Sequence, residues 1–151
     1  MKEQKLLSEW LATLMAGLDA KVDKDIRERI MNYCGRTCAI HHGSIKMIKE
    51  IKRQTKEIDK LLNELNQQKD FWCGVWERDG DTIYSICEEC GCPLVRTGLI
   101  ELSPTFCECS LGYVKAVFEI AIGKPMKVEL EQAIGRGDKV CKFIVLPDIQ
   151  S

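Results

Sequence analysis

Residues 71–86 read FWCGVWERDGDTIYSI, and the fold turns on this stretch. Phe71 to Glu77 is rich in aromatic and β-favouring residues, Arg78-Asp79-Gly80-Asp81 has turn chemistry, and Thr82 to Ile86 is β-favouring again. Two such runs around a glycine-containing turn predict a β-hairpin. Everything before it has a different rhythm. Leu6, Leu7, Trp10, Leu11, Leu14, Met15 and Leu18 recur three and four apart, the signature of one helical face. A second helix is expected from about Asp23 to Ile40, with Ile26, Ile30, Tyr33 and Cys34 on one side. A third is expected from Ser44 to about Asn66, with Ser44 as its N-cap and Ile45, Ile48, Ile51, Ile58, Leu61, Leu62 and Leu65 as its apolar stripe. Beyond the hairpin, Cys87 to Pro104 reads as irregular, Ser110 to Ile122 as a helix, and Pro125–Leu130 and Lys139–Leu146 as strands separated by a turn at Gly135 to Asp138. The expected class is α+β: N-terminal helices packed on a small antiparallel sheet that also receives one later helix.

A chain of 151 residues is long enough for one apolar core and short for two, so residues 1–151 are expected to form one domain, with a mainly helical part (1–68) and an α+β part (69–148). The 22 lysines and arginines nearly cancel the 23 aspartates and glutamates, leaving a net charge of -1 and no field to attract nucleic acid or an anionic membrane. The basic run Lys46, Lys49, Lys52, Arg53, Lys56 and Lys60 is interleaved with Glu50, Glu57, Asp59 and Glu64, as on a solvated helix surface. Residues 1–20 lack the continuous apolar stretch of a secretory signal, and no segment has the apolar length of a membrane span. The expected location is the cytoplasm, where thiols are held reduced and clustered cysteines serve as metal ligands or reactive groups more often than as disulfides.

There are nine cysteines. In Cys87-Glu88-Glu89-Cys90-Gly91 two thiolates two residues apart can grip one ion from a tight turn, and the glycine accommodates the backbone there. After 16 residues Cys107-Glu108-Cys109 supplies a second pair, so that Cys87, Cys90, Cys107 and Cys109 would complete a tetrahedron around Zn²⁺. Cys92 could replace either member of the first pair. Cys34 and Cys38, four apart and thus on one helical face, could join the same site. Seven ligands exceed what one ion needs, so some are bystanders or the site is polynuclear. Zinc is the expected metal, with an iron–sulfur cluster as the alternative because it too is held by four cysteines. Cys73 and Cys141 read as small buried hydrophobes, and His41 and His42 as surface or capping residues.

The same thiols could instead perform redox exchange or nucleophilic attack. Redox C-x-x-C pairs lie at the start of a helix in a βαβ setting, which Gly91-Cys92-Pro93 does not resemble, and no H-E-x-x-H or H-x-E motif supplies a base for zinc-dependent hydrolysis.

From Cys109 onward, Cys109-Ser110-Leu111-Gly112-Tyr113, Phe118-Glu119, Gly123-Lys124-Pro125, Val128-Glu129 and Gly137-Asp138-Lys139-Val140-Cys141-Lys142-Phe143 resemble the vinyl-4-reductase-type domain. The resemblance covers residues 107 to 146. It implies an α+β small-molecule-binding fold of the kind found in sensors of aromatic compounds, and a zinc ion held by a cysteine at Cys107 or Cys109, a glutamate at Glu129 or Glu131, and the closing Cys141. The third family cysteine corresponds to Ala133, which leaves Cys87, Cys90 or Cys92 to supply that ligand. The pattern is also similar to proteins described as L-2-amino-thiazoline-4-carboxylate hydrolases. The functional expectation is a cysteine-rich zinc-binding protein with a small-molecule-binding or sensory role; the alternative is a metal- or thiol-dependent enzyme, hydrolase or redox, built on the same cluster. The expected partners are a small apolar ligand and a second copy of the chain.

Overall fold

A computed structural model describes residues 1–149. Four helices come first: α1 (Lys2–Lys21), α2 (Lys24–His41), α3 (Ser44–Gln54) and α4 (Ile58–Asn66). The hairpin follows as β1 (Val75–Asp79) and β2 (Thr82–Cys87), then a short α5 (Pro93–Arg96), the long α6 (Pro104–Ile122), β3 (Met126–Gln132), a 3-10 turn at Ile134–Arg136 and β4 (Cys141–Pro147). The class is α+β, as expected. The strands form one antiparallel four-stranded sheet in the order β1-β2-β4-β3.

The hairpin forms where the turn residues place it. Asp79 pairs with Thr82, and Gly80 takes φ +62° at the first central position, where a II′-type turn favours glycine. The expected third helix is two helices. Between Ile51 and Ile58 lies the polar run Lys52–Glu57, with Thr55 extended at φ -149° and ψ 144°. No apolar side chain there draws the chain onto the core, and the Thr55 hydroxyl accepts the Glu57 N–H. The expected helix at Ser110 starts six residues earlier: Ser103 caps it by accepting the Phe106 N–H at 3.1 Å, and Pro104 occupies its first turn. Cys107 and Cys109 are therefore helical rather than turn-borne.

Helix α6 is the centre of the core. Its Val117 and Phe118 are fully buried among Ile48 of α3, Leu61 and Leu65 of α4, Trp76 of β1 and Val145 of β4. On its other side α6 meets α2 at backbone contact. A Cβ at Gly35 would stand 1.8 Å from the Cys109 carbonyl oxygen, and one at Gly112 1.9 Å from the Asn32 carbonyl oxygen, so only glycine fits at either crossing point. This crossing sets α2 beside the mouth of the cavity described next. Among the described residues no helix is long and apolar enough to cross a membrane.

Candidate functional site

A cavity of about 150 Å³ opens between α2, the 71–74 segment, α6 and the inner face of the sheet. Its floor is aromatic. Trp76, on β1, lies 4.6 Å from Phe118 and 6.2 Å from Phe143 by ring centroids, and Trp72 stands edge-on to Trp76 at 5.5 Å and to Tyr113 at 5.8 Å. Asn66, at the end of α4, holds the Trp76 backbone in both directions: its amide donates to the Trp76 carbonyl at 2.9 Å and its side-chain oxygen accepts the Trp76 N–H at 2.7 Å. Both indole N–H groups, of Trp72 and Trp76, are buried without a hydrogen-bond partner among the described residues.

The polar edge includes His42 and Tyr113, with buried Ser44 behind the Tyr113 hydroxyl. The Tyr113 hydroxyl bonds to Ser44 Oγ and lies 3.2 Å from His42 Nδ1, while the His42 ring meets Phe71 edge-on at 5.0 Å. Burial pushes the Tyr113 phenol up to about 12, so it stays protonated at neutral pH. His42 is exposed and is the C-cap of α2, as expected, and it also stands at the cavity's edge with Tyr113 as a partner. Its sequence position gives no hint, because Tyr113 is 71 residues away.

Eight of the nine cysteines line this cavity: Cys38, Cys73, Cys87, Cys90, Cys92, Cys107, Cys109 and Cys141. Cys73 and Cys87 are joined as a disulfide, which ties the 71–74 segment to the end of β2. Cys73 is thus a covalent partner rather than a core hydrophobe, and Cys87 is not a free thiol. The other seven are free. They divide into two neighbourhoods because Cys107 and Cys109, two apart on a helix, project to different sides. Cys107 is buried beside Cys90 and Cys141, and burial pushes its thiol up to about 11. Cys109 lies toward Cys38, Cys92 and Cys34, and burial first, then those thiols, push it up to about 12. Burial likewise raises Cys38 and Cys90. Cys34 is exposed on α2, Cys92 caps α5, and Cys141 accepts the Ile134 N–H at 3.4 Å.

Thiols shifted in this direction are protonated at neutral pH, the opposite of an activated nucleophile. The carboxylates implied by the C-terminal resemblance stand apart from them. Leu130 points into the cavity, so Glu129 and Glu131 alternate outward, where Lys127 and Lys142 pair with them at 3.0 and 2.7 Å. Glu108, between the two α6 thiols, is engaged by Arg136 at 2.9 Å. Among the described residues no three His, Cys, Asp or Glu side chains are arranged to hold a metal ion.

Residues 1–151 match DUF6144, described as a family of unknown function. The chain belongs to family DUF6144. That family, rather than the vinyl-4-reductase type, is the one matched across the chain. No curated protein matches its sequence. Among solved structures, the phenol-responsive sensory domain of the transcription activator PoxR, determined with phenol, is similar at a TM-score of 0.54 and 14% identity, covering 97% of the DUF6144 chain and 73% of that chain. Subunit 3 of a trafficking protein particle complex from Naegleria fowleri, covalently bound to palmitic acid, is similar at a TM-score of 0.60 and 10% identity, covering 97% of this chain and 95% of that one. At these identities the likeness is one of fold.

Proposed function

We propose that this protein is a small-molecule-binding module whose cavity takes a single small aromatic ring bearing a hydrogen-bond acceptor. The observation that carries this reading is the aromatic lining of the cavity, with Phe71, Trp72, Trp76, Phe106 and Phe143 around it and the Tyr113 hydroxyl and His42 at its edge. The hydroxyl and the imidazole at that edge can exchange hydrogen bonds with a ligand oxygen, which a plain hydrocarbon cannot do. The size agrees: an apolar cavity of roughly 150 Å³ accommodates a benzene-sized ring. A long acyl chain exceeds it. Support also comes from the fold shared with a phenol-responsive sensory domain.

Titration with phenol, benzoate and benzene, read by tryptophan fluorescence and by thermal unfolding, tests the reading. The expected result is saturable quenching and a rise in Tm with phenol, weaker effects with benzene, and loss of the preference for phenol in Tyr113→Phe. Absence of any saturable response up to millimolar ligand overturns it.

A second reading is favoured by the gathering of free thiols at the same cavity. We infer a thiolate-bound zinc site, drawn either from Cys34, Cys38, Cys92 and Cys109 or from Cys90, Cys107 and Cys141. Bound zinc would hold the neighbouring elements together and keep its ligands deprotonated. The donor chemistry suits zinc, and the thiols must shift to close around it. Elemental analysis of anaerobically purified protein, with an absorption spectrum to detect an iron–sulfur cluster, decides. About one zinc per chain, lost in Cys38→Ser/Cys109→Ser or in Cys90→Ser/Cys107→Ser, supports a thiolate site and locates it; neither metal nor a visible band removes this reading and leaves the ligand-binding one standing.

A further inference from the structure

Helix α1 runs for 20 residues without burying one of them. Its apolar stripe is wider than the body of the protein covers. Leu11, Met15 and Leu18 are half-buried, but Leu6, Leu7, Trp10 and Leu14 are exposed, Trp10 at 60% and Leu6 at 67%. The neighbouring α2 is also apolar on two sides: Met31, Gly35 and Ala39 pack inward, while Ile26, Ile30 and Tyr33 are exposed, Tyr33 at 72%. Surface of this kind, concentrated on two adjacent helices, is what monomers avoid and interfaces use.

We propose that this face is covered by a second copy of the same chain, the two α1 helices packing antiparallel across a two-fold axis. An aromatic side chain offers roughly 150–250 Å² and an aliphatic one less, so the exposed fractions of these seven side chains amount to on the order of 600–800 Å² per copy. That is close to the share each partner contributes to an interface of standard size, about 800 Å². Charge points the same way. Lys2, Lys5 and Lys21 of α1 are balanced by Glu3, Glu9 and Asp19, whereas helices that lie in a membrane surface carry a basic polar face. An antiparallel pairing about Trp10 sets Leu6 of one copy against Leu14 of the other and brings the Lys2 end of one to the Asp19 end of the other, as an isologous contact requires. The contact also gives α1 the packing it lacks in a single chain, since most helical stability in proteins comes from packing an amphipathic face rather than from propensity.

Sedimentation equilibrium of the full chain under reducing conditions, which prevents cross-linking through exposed Cys34, tests the proposal. The expected result is twice the chain mass at micromolar concentration. Trp10→Glu and Tyr33→Glu each raise the dimer dissociation constant at least tenfold with the helical circular dichroism unchanged, and Ile86→Glu, on exposed β2 surface, leaves it as it is. Should a glutamate variant lose its helical signal, Leu6→Lys is read in its place. A wild-type chain that sediments at the single-chain mass throughout, a dimer indifferent to the α1 and α2 substitutions, or a monomer that binds phosphatidylcholine/phosphatidylserine vesicles overturns the proposal.

Discussion

Asn66 and Trp76 hold each other by two hydrogen bonds, the Asn66 side chain closing on both backbone groups of Trp76 at 2.9 and 2.7 Å. The pairing fixes the first strand of the hairpin to the end of α4 and thereby fixes the aromatic floor of the cavity. In Asn66→Ala two part-buried backbone groups lose their partner, with an expected loss of about 1–3 kcal/mol. Chemical denaturation measures the loss, and a changed tryptophan emission reports the loosening of Trp76. A variant with wild-type stability and emission would show that the clamp is dispensable.

The α2–α6 crossing admits no side chain at Gly112, where a Cβ would meet the Asn32 carbonyl oxygen at 1.9 Å. Gly112→Ala must push the helices apart, with an expected destabilisation of about 1–3 kcal/mol or more from overpacking. Ala is otherwise the better helix former by roughly 1 kcal/mol, so the sign of the change is diagnostic. Stabilisation on thermal melting would refute the close crossing.

Burial raises the thiols of Cys107, to about 11, and Cys109, to about 12, from 9.0. Below pH 9 both states are protonated and the groups leave stability unaltered. As the pH rises from 9 toward 11 to 12, the unfolded chain releases these protons while the folded one retains them, so stability falls over that window. Metal-free, reduced protein should therefore show a declining Tm above pH 9. At pH 8, mass mapping after brief iodoacetamide treatment should find exposed Cys34 labelled first and Cys107 and Cys109 last. Equal labelling of all three is the contrary outcome.

Local chemistry made the hairpin legible: alternating β-favouring residues flank Gly80-Asp81, and only a short list of turns suits that pair. The apolar stripes likewise disclose the helices, although the stripe from Ile45 to Leu65 runs across the polar segment Lys52–Glu57 in which the helix breaks. At α6 the signal was present and outweighed. Ser103-Pro104 is an N-cap and first-turn pair, but the nearby Cys107-Glu108-Cys109 suggested a metal-binding turn. Once those residues are helical, a two-residue spacing separates the thiols instead of joining them. A small-molecule cavity is implied by the C-terminal resemblance, but its lining is not legible in the sequence. His42, Trp72, Trp76 and Tyr113 converge through long-range packing, and neither the hairpin stretch that holds the two tryptophans nor the Cys109–Tyr113 motif says which residues they will meet.

The disulfide between Cys73 and Cys87 makes the last prediction, because a reducing cytoplasm and a ligand role for Cys87 both imply a free thiol there. Thiol titration of the unfolded protein without reductant should count seven thiols, and nine after reduction, given that one of the nine-cysteine chain's pairs is bridged. The bridge closes a loop with a sequence separation of 14, and loops of about that length contribute roughly 3 kcal/mol by restricting the unfolded chain. Reduction, or Cys73→Ser, should lower stability by that order and loosen the segment carrying Phe71 and Trp72, so phenol-type ligands should bind less tightly as well. If nine thiols titrate before reduction in protein purified with air access, Cys87 is free, and the Cys87–Cys90 pair returns as a pair of metal ligands.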